Sequence, residues 1–264
     1  MRIEKSLRRS RERGRKSLII YITAGDPDLK VTEELVYSIV EAGADVVEVG
    51  IPFSDPLADG PTIQQASQRA LNRKVTIPKI LSTVEKIGKK SSVPIALMTY
   101  YNPIFYYGLD RFVADSRAVG VDGLIVPDLP LEESKELRGI TERFEIELIP
   151  FITPTSTPER IDAIAKVAQG FIYCVSVTGV TGTRENLSLD VAEMIRKIRP
   201  YTDIPLAIGF GISNAKQAKE MIKYTDAIIV GSAVVKIIEN YQNDLSMLLG
   251  QVRSFVKFLK EAIQ

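Results

Sequence analysis

Eight short apolar runs punctuate the chain: Leu18–Thr23, Val46–Val49, Pro94–Met98, Leu124–Val126, Glu147–Ile152, Phe171–Val175, Pro205–Ile208 and Ala227–Val230. Each is nearly continuous rather than alternating, which is the pattern of parallel strands buried on both faces. Segments of helical period lie between them. Over Leu29–Glu41 the apolar Leu35, Val36, Ile39 and Val40 form one stripe, and Gly43 stands where a helix turns into the left-handed conformation. Thr157-Pro158 reads as an N-cap with proline at the first helical position, and Ser213-Asn214 precedes another helical stretch. Strand–helix alternation repeated eight times predicts an α/β fold: a single (β/α)8 barrel over residues 1–264, with an extra helix at its N-terminus and a short helix after the eighth strand. An open doubly wound sheet is the alternative.

A faint repeat supports the barrel. Asp45, Asp122 and Asp226 each fall just before a strand, on the face where barrels place stabilising residues. The longest connection, from the second strand to the third, leaves room for a loop and two helices.

Composition narrows the chemistry. The 264 residues include one cysteine, Cys174, and no histidine. A lone cysteine excludes a disulfide framework and suits a reducing, cytoplasmic compartment. Without histidine there is no Ser-His-Asp triad and no imidazole base, so acid–base work near neutral pH falls to carboxylates, Tyr, Lys or water. No carboxylate cluster has metal-ligand spacing, so no metal is expected. Net charge is +1, but residues 1–16 hold eight Lys/Arg against two Glu, a local +6. That segment could be a nucleic-acid arm; we read it as a solvated helix crossing the bottom of the barrel. No apolar stretch follows it as in a secretory leader, and no 18-residue apolar run would span a membrane.

Glu48 is the most informative residue. It interrupts the valines of Val46–Val49 near the C-terminal end of the second strand, where barrel enzymes place catalysis. An ionised carboxylate there must be partnered, protonated or facing a cavity, and desolvation would move its pKa towards that of a general acid. A structural carboxylate bonded to backbone amides is the other reading. Asp59 follows 11 residues later in a loop stiffened by Pro52, Pro56 and Pro61. One buried and one wetter carboxylate can serve as acid and base; Asp55 and Asp59 equally suit Asx turns. Gly209-Phe210-Gly211 and Gly231-Ser232 end the seventh and eighth strands, the position where barrels bind phosphate on backbone amides and a helix N-terminus. Gly179–Arg184 looks like a glycine-hinged lid. Tyr173 is expected to face the barrel axis near Glu48, with Cys174 pointing into the helix layer. No strand ends in lysine, which argues against a Schiff-base aldolase.

On these residues the chain resembles the tryptophan synthase alpha chain family over essentially its whole length. The segments that carry the resemblance are Thr23–Pro27, Val47–Pro61, Tyr100–Pro103, Val126–Pro130, Gly179–Gly182, Gly209–Ile212 and Val230–Ala233. The resemblance implies retro-aldol cleavage of indole-3-glycerol phosphate to indole and glyceraldehyde 3-phosphate. It implies Glu48 as the principal acid–base residue, Asp59 as partner near the indole N–H, Tyr173 and Thr181 as supports, and a phosphate held by Gly182, Gly211, Gly231 and Ser232. Tyr21, Tyr100 and Phe210 would line the indole pocket. Pro52 and Asp55 would lie on a loop facing a beta chain, in an α2β2 assembly where the beta chain alone carries pyridoxal phosphate. Val177-Thr178 departs from the family, many members of which carry a basic residue there. Two other readings are an indole-glycerol-phosphate synthase, which needs strand-end lysines this chain lacks, and a phosphate-binding regulatory subunit without turnover.

Overall fold

The computed structural model describes residues 1–175, 184–209 and 211–264, of which 184–189 as backbone alone. Its strands are β1 (Ser17–Thr23), β2 (Val46–Gly50), β3 (Ile95–Met98), β4 (Gly123–Ile125), β5 in two pieces (Glu147–Ile149 and Phe151–Ile152), β6 (Ile172–Val175), β7 (Leu206–Gly209) and β8 (Ala227–Val230). Neighbours in sequence pair in parallel, and β8 returns to pair with β1. The doubly wound alternative is thereby excluded. The fifth run is not the one continuous strand its apolarity suggested. Its first piece pairs with β4 and its second with β6. Pro150, which has no N–H to give to a ladder, separates them. The ring closes through that proline, whose carbonyl accepts the Tyr173 N–H at 2.9 Å.

Twelve helices are described: α1 (Arg2–Glu12), α2 (Leu29–Glu41), α3 (Pro61–Asn72), α4 (Ile77–Lys90), α5 (Tyr101–Tyr107), α6 (Leu109–Ala118), α7 (Lys135–Arg143), α8 (Pro158–Ala165), α9 (Arg184–Ile198), α10 (Ala215–Met221), α11 (Ser232–Tyr241) and α12 (Leu245–Ala262). The predicted signals act where expected. Gly43 follows α2 at φ +103°, Thr157 accepts the Arg160 N–H before α8, and Asn214 accepts the Gln217 N–H before α10.

Strand residues alternate between two cores. One set, including Cys174, packs outward against the helices, as expected for that cysteine. The other fills the barrel, where Ile19, Val46, Ala96, Ile125, Ile149, Phe171 and Ile229 meet. Ile3 and Leu7 of α1 complete this inner core from below, so the basic N-terminal segment is a helix plugging the barrel bottom. A Cβ at Gly123 would stand 2.5 Å from Ile3 Cδ1, so this glycine admits the plug. The Glu147 carboxylate accepts the Ile3 and Glu4 N–H groups at 2.9 and 3.0 Å, two amides that the first turn of α1 leaves free. The three aspartates share one arrangement. Each accepts an N–H at the start of the preceding strand (Asp45 from Leu18, Asp122 from Ile95, Asp226 from Leu206) and each pairs with a cation, Lys260, Arg2 and Arg199 respectively.

Candidate active site

At the opposite, C-terminal end of the strands the barrel opens into a pocket of about 420 Å³. Inward alternation along β2 points Val46, Glu48 and Gly50 to the axis. Val46 is sealed in the inner core, whereas Glu48 reaches the pocket floor. Glu48 is only 1% exposed, and its Oε2 has no hydrogen-bond partner among the described residues. Burial, and secondarily the charge of Asp59, push its pKa up to about 8. The structural-carboxylate reading fails for this oxygen, which no backbone amide satisfies.

Two tyrosines flank it. Tyr21 on β1 is in register with Glu48, and its hydroxyl lies 3.2 Å from Thr23 Oγ1. Tyr173 on β6 faces the axis as expected. Burial first, with the charges of Glu48 and Asp59 adding to it, drives both phenols far above their ordinary pKa, so both remain proton donors. Each ring lies over a glycine of the next strand. A Cβ at Gly50 would collide with the Tyr21 hydroxyl, and one at Gly209 with that of Tyr173.

Asp59 sits in the loop that ends at Gly60, the N-cap of α3. Its N–H donates to Pro56 O and its carbonyl accepts from Gln64 Nε2. Tyr100 braces the loop from behind. Its hydroxyl accepts the Ala58 N–H at 2.9 Å and hydrogen-bonds the Asp59 carboxyl, while its ring packs on Phe53 at 5.4 Å. Burial raises Asp59 to about 6, against the lowering effect of Tyr100. The two carboxylates therefore separate: at pH 7 Glu48 is mostly protonated and Asp59 mostly ionised.

Across the pocket Gly211, at φ +76°, and Gly231 with Ser232 form the wall. Ser232 opens α11, whose first amides have no intrahelical acceptors and point the helix's positive end into the cavity. Tyr21 Cβ would be 3.2 Å from a Cβ at Gly231, so this turn too is close-packed against the pocket's aromatic wall.

Of the residues singled out from sequence, the pocket brings together Tyr21, Glu48, Asp59, Tyr173, Gly211, Gly231 and Ser232. Tyr100 stands behind the loop. Pro52 is buried in a neighbouring groove, and Asp55 is exposed, accepting from its neighbour Ser54. Thr181, Gly182 and Phe210 lie outside the described residues, as does the proposed lid apart from the start of α9. The sequence reading missed Met98, Phe151 and Ile212 as pocket walls. Period-two alternation would have found the first two, which point inward two residues after Ala96 and Ile149.

Fold and site together define a class: a (β/α)8-barrel enzyme with two carboxylates of divided pKa at one side of its pocket and a helix terminus suited to an anion at the other. Residues 7–264 match the tryptophan synthase alpha chain family. The chain is 51% identical over 262 residues to the tryptophan synthase alpha chain of Thermoanaerobacter pseudethanolicus, covering 99% of each, and 45% identical to that of Clostridium kluyveri, covering 100% of this chain and 99% of the relative. The crystal structure of the tryptophan synthase alpha chain from Legionella pneumophila superposes with a TM-score of 0.91 at 33% identity, covering 99% of this chain and 97% of that one. The chain belongs to the tryptophan synthase alpha chain family. Its reaction is the cleavage of indole-3-glycerol phosphate to indole and glyceraldehyde 3-phosphate, a lyase step of tryptophan biosynthesis, and its partner is a beta chain. Among the described residues no helix is long and apolar enough to cross a membrane.

Proposed function

We propose that Glu48 and Asp59 perform this cleavage between them, in a chain whose residues 1–264 act as one catalytic unit in the cytoplasm. The observation that carries the reading is the unpartnered Oε2 of a buried, protonated Glu48 facing the pocket. The substrate phosphate sits on the amides of Gly231 and Ser232, beside Gly211, with Gly182 adding to the cradle. The indole ring lies towards Tyr21, Met98 and Phe151, near Phe210. Glu48 gives its proton to indole C3, which leaves a cationic ring with its charge spread to nitrogen. Asp59, ionised, accepts a hydrogen bond from the ring N–H and stabilises that charge. The Glu48 carboxylate then takes the proton of the glycerol hydroxyl. The new carbonyl forms as the carbon–carbon bond breaks, and its electron pair returns to the ring. One proton is given and one taken back, so the cycle closes without a cofactor in this chain. Tyr173 holds Glu48 from the side, and Thr181 holds Asp59.

The beta chain receives the indole and supplies the pyridoxal phosphate, in an α2β2 assembly docked on this same face. Leu57 is 93% exposed, and Phe105 and Tyr106 of α5 are 65% and 93% exposed. Tyr106 lines a groove of about 280 Å³ together with Pro52, Phe53, Ile77 and Pro103. Such a cluster beside a catalytic mouth fits an interface better than solvent. Ile51 and Pro52 are buried, and the apolar surface at the mouth comes from Leu57 and α5. The test is indole release from indole-3-glycerol phosphate by the isolated chain, repeated with added beta chain. Release that accelerates with the partner supports the reading; no release in either case overturns it.

A further inference from the structure

A second cavity lies on the face opposite the catalytic pocket. It is a groove of about 720 Å³ between α1, the C-terminal end of α12 and the segments before β2 and β3. Six cationic side chains line it, Arg2, Lys5, Arg9, Arg13, Arg15 and Lys260, against one acidic side chain, Asp45. Asp45 is already occupied by Lys260 and the Leu18 N–H, and Arg2 by Asp122. The side chains of Lys5, Arg9, Arg13 and Arg15 make no ion pair or hydrogen bond with any described residue. The contrast with the other side of the same helix is sharp, because there Arg8 pairs with Glu4, and Arg11 with Asp226 and the Asp203 carbonyl. Lys5, Arg9 and Arg13 also repeat at every fourth position, so they stack along one helix face, where like charges oppose one another.

We propose that this groove binds an oligophosphate, a chain of linked phosphates recognised by charge alone. A concave surface lined by one sign of charge concentrates the field and its counter-ions. Guanidinium forks match phosphate oxygens in pairs. A single phosphate would meet one or two of the free cations, whereas a linked chain reaches all four along the helix. No aromatic side chain lines the groove, so it offers a nucleobase nothing to stack on. The ligand is thus the phosphate chain, free or as part of a nucleotide, with the two held equally. The site is independent of the catalytic reading and shares no residue with it.

Calorimetric titration of the full chain with sodium triphosphate tests this. The expected result is saturable binding of about one ion per chain, weakened at least about tenfold between about 50 and 200 mM salt. In Lys5→Gln/Arg9→Gln/Arg13→Gln affinity falls by about tenfold or more, while indole release is unchanged. Arg13→Gln/Arg15→Gln, at and beyond the end of α1, lowers affinity without touching the helix interior and covers the case of a misfolded triple variant. ATP matches triphosphate within about twofold, since its base finds no partner. Absence of saturable binding overturns the proposal, as does undiminished binding by both variants, which would put the ion in the catalytic pocket. Marked preference for ATP, or for a single-stranded oligonucleotide over triphosphate, also overturns it.

Discussion

Glu48 holds a proton at pH 7 that the unfolded chain would have released. Its native pKa, about 8, lies above the ordinary value of 4.5, so the native state binds the extra proton between these values. The resulting stability is complete below about pH 4 and is lost as pH rises through 8. Glu48→Gln cannot ionise and escapes this loss. Urea unfolding should find the variant level with wild type near pH 4 and more stable at pH 9 by on the order of 5 kcal/mol. Its cleavage rate should fall by about 10²–10⁴-fold or more, since one residue serves both proton transfers. A stable, active Glu48→Gln would remove the mechanism. Asp59→Asn deletes the second cause of the Glu48 shift, so the Glu48 pKa should move down towards its ordinary value, read by carbon-13 NMR of labelled glutamate. Its kcat should fall more than its KM rises, because Asp59 acts on charge that develops in the reaction. Glu48 was legible in the sequence because a charge among valines has few bland explanations. Ile212 was not, because an apolar residue on a pocket wall outside a strand has no alternation to betray it and looks the same as one in a core. The bond from the Ala58 N–H to Tyr100 was not legible either, since spacing does not tell which way a loop folds back onto a ring.

The elements that carry the site are tied together at some distance from it. Arg69, in the last turn of α3, donates to both oxygens of Asp26 at 2.8 Å and lies 3.5 Å from Glu239 of α11. It therefore joins the helix that follows Asp59, the loop that follows Tyr21 and the helix that begins at Ser232. Asp26 is 1% exposed and would be left as a buried charge in Arg69→Ala. That variant should lose on the order of 3 kcal/mol of stability in urea unfolding. Its KM should rise as α11 loosens, and Arg69→Lys should restore less than full affinity for want of the fork. A variant with wild-type stability and KM would show that α3 and α11 are held elsewhere. Strands and helices were largely legible because double burial and helical period leave strong patterns. The break at Pro150 comes from a single residue inside an otherwise apolar run, whose missing N–H and fixed φ leave no mark on the run's overall apolarity. The helix α5 was not foreseen, because it is short, rich in aromatics and has Pro103 in its first turn.

At the scale of the molecule the barrel is closed below by α1 and open above. Ile3 and Leu7 stopper the inner core, and the Glu147 carboxylate, raised to about 7 chiefly by burial, is held by two amides of the same helix. Removal of residues 1–12 should cost about 3–6 kcal/mol from the two side chains alone, seen as a lower Tm and binding of a hydrophobic dye. An unchanged Tm would mean that the barrel bottom seals itself. The absence of histidine gives these buried carboxylates a further significance. Most proteins carry imidazoles whose titration masks every other proton event near neutrality. Here, among the described residues, Asp59 at about 6, Glu147 at about 7 and Glu48 at about 8 occupy that range. The molecule is in effect its own proton counter. Calorimetry of ligand binding in buffers of different ionisation enthalpy should report uptake or release at the catalytic pair directly, and Glu48→Gln should erase most of that signal at pH 8.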